Sequence, residues 1–310
     1  GAPAGDALVR HPLVRRIGFT GSVATGLAIQ RAAAESAVKH VSLELGGKNP
    51  SIVFPDADLD RVVEMAVAGM NFSWAGQSCG STSRLLLHAD IHDEIVERVA
   101  ERMRALRVGD PLDPASEMGP VNSSKQFERM QGFIAEAAAQ GARLVTGGTR
   151  PSGTMFAQGY WLEPTLYADV TQEMRVVREE IFGPIVCAQR WHRESEVIEL
   201  ANDSPYGLTA AVWTRDLATG LRMTRAIEAG TVWLNTAGQH FVGAPFGGWK
   251  DSGFSETKAF GSSSIEFYTK IENQSHGPRI ELFARNIRKG WDAWGNEELK
   301  EEATLEEYFV

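Results

Sequence analysis

Between residues 59 and 70 the apolar positions Leu59, Val62, Val63, Ala66, Val67 and Met70 recur at steps of three and four, which is one face of a helix, and Asp58 just ahead supplies an N-cap. On either side the pattern changes. SIVFP (51–55) and SRLLLH (83–88) are short apolar runs of strand length, and a helix from Ile91 to Leu106 follows the second. Downstream, SKQFERMQGFIAEAAAQ reads as helix, ARLVTGG as strand, YWLEPTLYAD as extended chain and PIVCAQRW as strand; SEVIELANDS and ATGLRMTRAIEAG read as helices flanking the strand AAVWT, and TVWLN closes the set. Upstream, IGFTGS is an apolar strand ending in Thr20, Gly21 and Ser22, followed by the helical stretch VATGLAIQRAAAES. Alternation of this kind predicts an α/β fold with a mostly parallel sheet flanked by helices, and a site at the carboxyl ends of the strands.

Composition narrows the classes without naming a function. The 310 residues are 43% hydrophobic and 23% charged, the balance of a globular domain or two. A net charge of −9 with no basic stripe argues against nucleic acid as a partner. No run of about 18 apolar residues predicts a membrane span, and neither a signal peptide nor clustered metal-ligand spacing is found. Two cysteines suggest a reducing compartment, the cytoplasm, without structural disulfides.

Those two cysteines differ in their surroundings. Cys187 lies in the apolar run IFGPIVCAQRW and reads as a buried strand position. Cys79, in FSWAGQSCGSTSR, is bracketed by Gly76 and Gly80 among Gln and Ser, where a ligand can approach closely. Glu44 in VSLELGGKNP is followed by Gly46 and Gly47, where a sharp turn can leave the carboxylate facing a cavity. A thiol nucleophile and a carboxylate base are the chemistry this pair suggests. A thiol hydrolase would need a histidine near Cys79, and His88 and His92 carry no specific support for one.

The strings RRIGFTGSVATG (15–26), VSLELGGKNP (41–50), GQSCGSTSR (76–84), EEIFGP (179–184) and PFGGWKDSG (245–253) resemble the signature set of the NAD(P)-dependent aldehyde dehydrogenase superfamily, in the family's order, over residues 1 to about 275. The resemblance implies a catalytic domain over 48–262, preceded by a partial Rossmann-like cofactor domain at 1–47 and followed by an oligomerisation strand at 263–278. It implies that Cys79 is the nucleophile and Glu44 the general base, and that the cofactor, NAD or NADP, meets Gly21, Ser22, Leu45, Glu180 and Phe182. The N–H of Cys79 would donate to the developing oxyanion. Asn235, Phe246 and Phe72 are implied near the substrate pocket, with Gln239, His240 and Phe241 in a variable loop that shapes specificity. Read from the residues alone, Asn235 is equally a strand-end turn residue. The rings of Phe72, Trp74, Phe241 and Phe246 suit an apolar or aromatic aldehyde, and the partners implied are that small molecule and further copies of the chain.

Two departures from the family pattern stand out. The chain opens at a point that lies inside the family's cofactor domain, which implies a fragment, a truncated product or one half of a split enzyme. Glu256 and Thr257 stand where the family has an Arg-Glu pair. Beyond residue 278, Ile280, Phe283, Ile287, Trp291 and Trp294 fall on one helical face, so 279–310 reads as an amphipathic helix and an acidic tail. Besides an aldehyde-oxidising enzyme, two alternatives follow. A coenzyme A acyl-transferring variant is disfavoured by Glu44, which such enzymes do not need. A non-catalytic chain would act as a binding or assembly partner through its terminal strand and helix.

Overall fold

The computed structural model describes residues 2–239 and 244–254. The chain divides into two units, 1–267 and 268–310, and all described residues belong to the first. The expectations for His240, Phe241, Glu256, Thr257, the strand at 263–278 and the helix and tail at 279–310 lie outside the described residues.

The first sheet is small. After helix α1 (Ala2–Arg10), strand β1 (Arg16–Thr20) pairs in parallel with β2 (His40–Glu44), placing Thr20 opposite Glu44. Between them runs α2 (Val23–Ser36), capped by the Ser22 hydroxyl accepting from the Thr25 N–H at 3.3 Å. On its other side β2 meets a late strand, β12 (Gly253–Phe254), antiparallel, with Gly253 opposite Glu44.

The main sheet follows the predicted alternation. Strands β3 (Pro50–Val53), β4 (Arg84–His88), β5 (Arg143–Thr146), β6 (Thr165–Ala168), β7 (Ile185–Trp191), β9 (Thr209–Trp213) and β10 (Thr231–Leu234) assemble in the order β10-β9-β3-β4-β7-β6-β5. All neighbours are parallel except β5 against β6. Strands β3, β4 and β7 are apolar almost throughout because both their faces are covered. One face packs against α3 (Leu59–Ala68) and α4 (His92–Arg104) in a core including Val62, Ala66, Leu85, Ile95 and Val99. The opposite face packs Ile52, Leu86 and Val212 with Val197 of α7 (Glu194–Asn202) and Met223 of α8 (Leu217–Ala226). Helix α5 (Ser124–Ala139) brings Met130 and Phe133 to a further cluster that also holds Val176 and Val177 of α6 (Arg175–Arg178) and Cys187, fully buried as its strand context predicts. Asp58 caps α3 as expected, its carboxylate accepting from the Arg61 N–H at 3.2 Å.

The site's placement corrects one expectation. In the small sheet it does lie at carboxyl ends, where Thr20 and Glu44 finish β1 and β2. In the main sheet it lies at the amino ends of β3, β4 and β7, because Asn49, Cys79 and Glu180 all precede those strands. Two short pairs were not legible in the pattern: β8 (Tyr206–Gly207) with β11 (Trp249–Lys250), and β12 with β2.

Candidate active site

The turn that follows Glu44 is built by exclusion. A Cβ on Gly46 would stand 2.3 Å from Glu180 Oε2, and one on Gly47 would stand 2.5 Å from the Cys79 carbonyl. At Gly47 the obstacle is backbone and only hydrogen fits, while at Gly46 it is the end of the Glu180 side chain, so three segments far apart in sequence meet at this turn. The Gly47 N–H donates to Glu180 Oε1 at 3.0 Å. Ser252, fully buried, secures the turn from behind: its hydroxyl donates to the Gly46 carbonyl at 2.5 Å and accepts from the Gly207 N–H at 2.9 Å, while its carbonyl accepts from the Leu45 N–H at 2.8 Å. This is what the PFGGWKDSG motif does structurally. It returns the chain antiparallel to β2, beside Glu44.

Cys79 is half-buried and unpaired with Cys187. Its loop is hung from Asn49, which is 2% exposed: the Asn49 amide donates to the Cys79 carbonyl at 2.7 Å and the Ser81 carbonyl at 2.9 Å, and its oxygen accepts from the Thr209 N–H at 3.0 Å. The bracketing glycines are not equivalent. Gly76 has φ +65° and no room for a Cβ, which would sit 2.3 Å from the Gly183 carbonyl, whereas a Cβ on Gly80 would meet nothing nearer than 3.9 Å.

Electrostatically the pocket favours the neutral thiol. Burial pushes the Cys79 thiol up, and the carboxylates of Glu180 and Glu44 add to the rise; the N–H groups of Cys79 and Gly80 pull it back in part. Glu180 is itself pushed up by burial, against the pull of the Gly47 N–H, Lys48 and Arg129. Lys48, between the two elements of this cradle, is 2% exposed, and burial lowers its ammonium from 10.5 to about 8.

The positions named for cofactor contact lie in two groups. Gly21 and Ser22 are exposed at the end of β1, where the Gly21 N–H donates to the Glu44 carbonyl at 3.0 Å and a 14-residue helix begins. Leu45 is buried under that helix, within 2.9 Å of where a Cβ on Gly26 would be. Phe182, with φ +59°, keeps its ring 36% exposed beside the Glu180 carboxylate's segment. A cradle that a single methyl group would fill, a carboxylate fixed by a backbone N–H and an open helix start fit a nicotinamide dinucleotide.

The substrate-side positions disperse. Phe246 is half-buried. Phe72 is 4% exposed and belongs to the core; the aromatic walls of the trough beside the Cys79 loop, about 560 Å³, are Trp74 and Phe182, joined by Met118 and Gln77. Asn235 stands at the carboxyl end of β10, the far end of the sheet from Cys79, and its amide is committed to Thr214, accepting from the N–H at 3.1 Å and donating to the carbonyl at 2.9 Å. It is therefore the strand-end turn residue rather than a pocket wall. Sequence reasoning missed Asn49 and Ser252, whose only signal was a polar residue inside a motif already credited to its neighbours. Among the described residues no cluster of His, Cys, Asp or Glu could hold a metal, and no helix is long and apolar enough to cross a membrane.

Comparison with known proteins identifies the family. Residues 1–273 match the model of the aldehyde dehydrogenase family. The chain is 49% identical over 277 residues to aldehyde dehydrogenase tropH of Talaromyces stipitatus, covering 88% of this chain and 53% of that protein. It is 43% identical over 272 residues to the peroxisomal aminoaldehyde dehydrogenase 2 of Pisum sativum, with the same coverages. Betaine aldehyde dehydrogenase from Staphylococcus aureus, solved with NAD+, superposes with a TM-score of 0.82 at 38% identity, over 85% of this chain and 52% of that one. The NAD+ complex of aldehyde dehydrogenase from Bacillus cereus gives 0.82 at 38% identity, over 88% and 54%. The chain thus spans about half the length of the relatives it matches. A family model matched over most of the chain and a relative 49% identical over 277 residues show that the chain belongs to the aldehyde dehydrogenase family.

Proposed function

We propose that the protein oxidises an aldehyde to a carboxylic acid through a covalent thioester on Cys79, with NAD or NADP as hydride acceptor. The observation that carries this reading is the convergence of Glu44, Cys79 and Glu180 on the Gly46–Gly47 turn, where the Cys79 carbonyl leaves Gly47 no room for a Cβ. The Cys79 sulfur, as thiolate, bonds to the carbonyl carbon, and the carbonyl oxygen takes the electron pair. When that oxygen reforms its double bond, the former aldehyde hydrogen departs with its electron pair. The bound cofactor supplies the acceptor for this hydride. Glu44 then takes a proton from water, the resulting hydroxide adds to the thioester carbon, and the C–S bond breaks to release the acid and the thiolate.

The chain's residues divide this work. Glu180, Phe182, Leu45 and the Gly21–Ser22 turn hold and orient the cofactor, and Asn49 holds the Cys79 loop. Because burial raises the thiol, Cys79 attacks from a minor thiolate form whose proton passes to solvent, and Glu44 is left to serve the hydrolysis step. We read residues 1–47 as the cofactor-facing unit and 48–262 as the catalytic unit. Free thiols at Cys79 and Cys187 suit a reducing compartment such as the cytoplasm.

Mass spectrometry of the Glu44→Gln chain incubated with aldehyde and NAD+ or NADP+ tests the mechanism. Acylation confined to Cys79, accumulating in this variant and absent from Cys79→Ala, is expected. An unmodified Cys79 in Glu44→Gln, or reduced-nicotinamide formation that persists in Cys79→Ala, would overturn it.

A further inference from the structure

Three consecutive carbonyls of the loop leading into β7 are held by two side chains one turn apart on α5. The Gln126 amide nitrogen donates to Ile181 O at 2.7 Å and Phe182 O at 2.8 Å, using both of its hydrogens, and Arg129 donates to Glu180 O at 2.8 Å. A third residue of the same helix closes the contact, because the Met130 methyl lies 2.3 Å from where a Cβ on Gly183 would be.

The grip falls where the backbone resists. Phe182 has φ +59°, a region that residues with a Cβ adopt only when their surroundings compel it, and its ring stays 36% exposed although burial would be favourable. A segment free of these contacts would favour an ordinary φ at this position. Two donors fixed on a regular helix oppose that relaxation, since both bonds are made only when the Ile181 and Phe182 carbonyls point the same way. The Arg129 bond sets the residue before them, so the backbone that carries the Glu180 carboxylate is fixed by the same helix.

We infer that Gln126, with Arg129, is the positioning residue that keeps Phe182 and Glu180 in their cofactor-binding arrangement. This rests on the proposed cofactor role of that loop. Gln126 is half-buried on a helix surface, so its replacement leaves the core intact.

The test compares Gln126→Leu, which keeps the size and removes the donors, with Gln126→Lys, which restores donors at similar reach, and with Phe182→Ala. Two quantities are read on the full 310-residue chain: amide hydrogen exchange of residues 179–184 against that of β7, and the NAD+ concentration that half-changes the alkylation rate of Cys79. In Gln126→Leu both the loop's exchange rate and that concentration are expected to rise about thirtyfold, the equivalent of the two neutral hydrogen bonds lost, with β7 unchanged; Gln126→Lys brings both back toward wild type. Unchanged loop exchange in Gln126→Leu overturns the inference whatever the cofactor does. A shift in the NAD+ concentration with Phe182→Ala but not with Gln126→Leu overturns the inference and leaves the cofactor reading standing. No shift with either variant removes the cofactor reading and the inference with it.

Discussion

Lys48 carries a charge in a place that does not solvate it. The side chain is 2% exposed, its Nζ has no hydrogen-bond partner among the described residues, and burial lowers its ammonium from 10.5 to about 8; nearby Arg84 lowers it further, while Cys187, Glu180 and Glu179 oppose the fall. Each pKa unit corresponds to about 1.4 kcal/mol, so holding the buried ammonium costs the folded chain roughly 3 kcal/mol below pH 8. Between about pH 8 and 10.5 the unfolded chain keeps this proton and the folded chain does not. The unfolded state then binds more protons, so stability rises with pH through that window, and below it the penalty is complete and constant. Lys48→Met keeps the packing volume and removes the charge. Urea unfolding at a series of pH values is expected to show the variant more stable than wild type by up to about 3 kcal/mol near neutrality, with the difference vanishing toward pH 10.5. A variant less stable than wild type at neutral pH, or a wild type whose stability does not rise relative to the variant above pH 8, would refute the reasoning. The variant should also lose the pull that Lys48 exerts on Glu180, leaving that carboxyl higher still.

Other consequences are equally direct. Asn49→Ala strands the Cys79 and Ser81 carbonyls and the Thr209 N–H, so urea unfolding should show a loss of about 3 kcal/mol or more, at roughly 1 kcal/mol for each buried bond; a loss under about 1 kcal/mol would mean the loop is held by something else. Gly76→Ala, strained at φ +65° and colliding with the Gly183 carbonyl, should cost more than about 2 kcal/mol, whereas Gly80→Ala should stay within about 1 kcal/mol in the same melts; equal effects would contradict the geometry. Alkylation of Cys79 should still be accelerating with pH above the ordinary thiol value of 9.0, and Glu180→Gln or Glu44→Gln should shift the profile downward; a profile unmoved by both would remove the carboxylates as a cause.

Much of the α/β framework was legible because each element carries its own cause. The helical face from Leu59 to Val67 with Asp58 as its cap, and the continuous apolar runs of β4 and β7, need only local periodicity and burial on both faces. What stayed hidden depends on partners. The antiparallel run of β5 and the two-residue strands β8, β11 and β12 are defined by the chain they meet, and a pair such as Trp249–Lys250 is too short to have a period. Asn235 shows the same limit from the other side. Its type fits a turn or a pocket equally, and only the parallel register placed it at the end of the sheet away from Cys79.

Within the site, the sequence by itself determined the reactive groups: a thiol at Cys79, a carboxylate at Glu44 and the glycines that let backbones approach. Those are properties of single residues and their neighbours. Tertiary structure alone decided that Gly47 excludes a Cβ because the Cys79 carbonyl lies against it, that Asn49 and Ser252 carry the loops, and that two carboxylates raise the thiol. The reason is that steric exclusion, hydrogen bonding and charge coupling act over a few ångströms of space, and the residues they join here lie up to 206 positions apart along the chain.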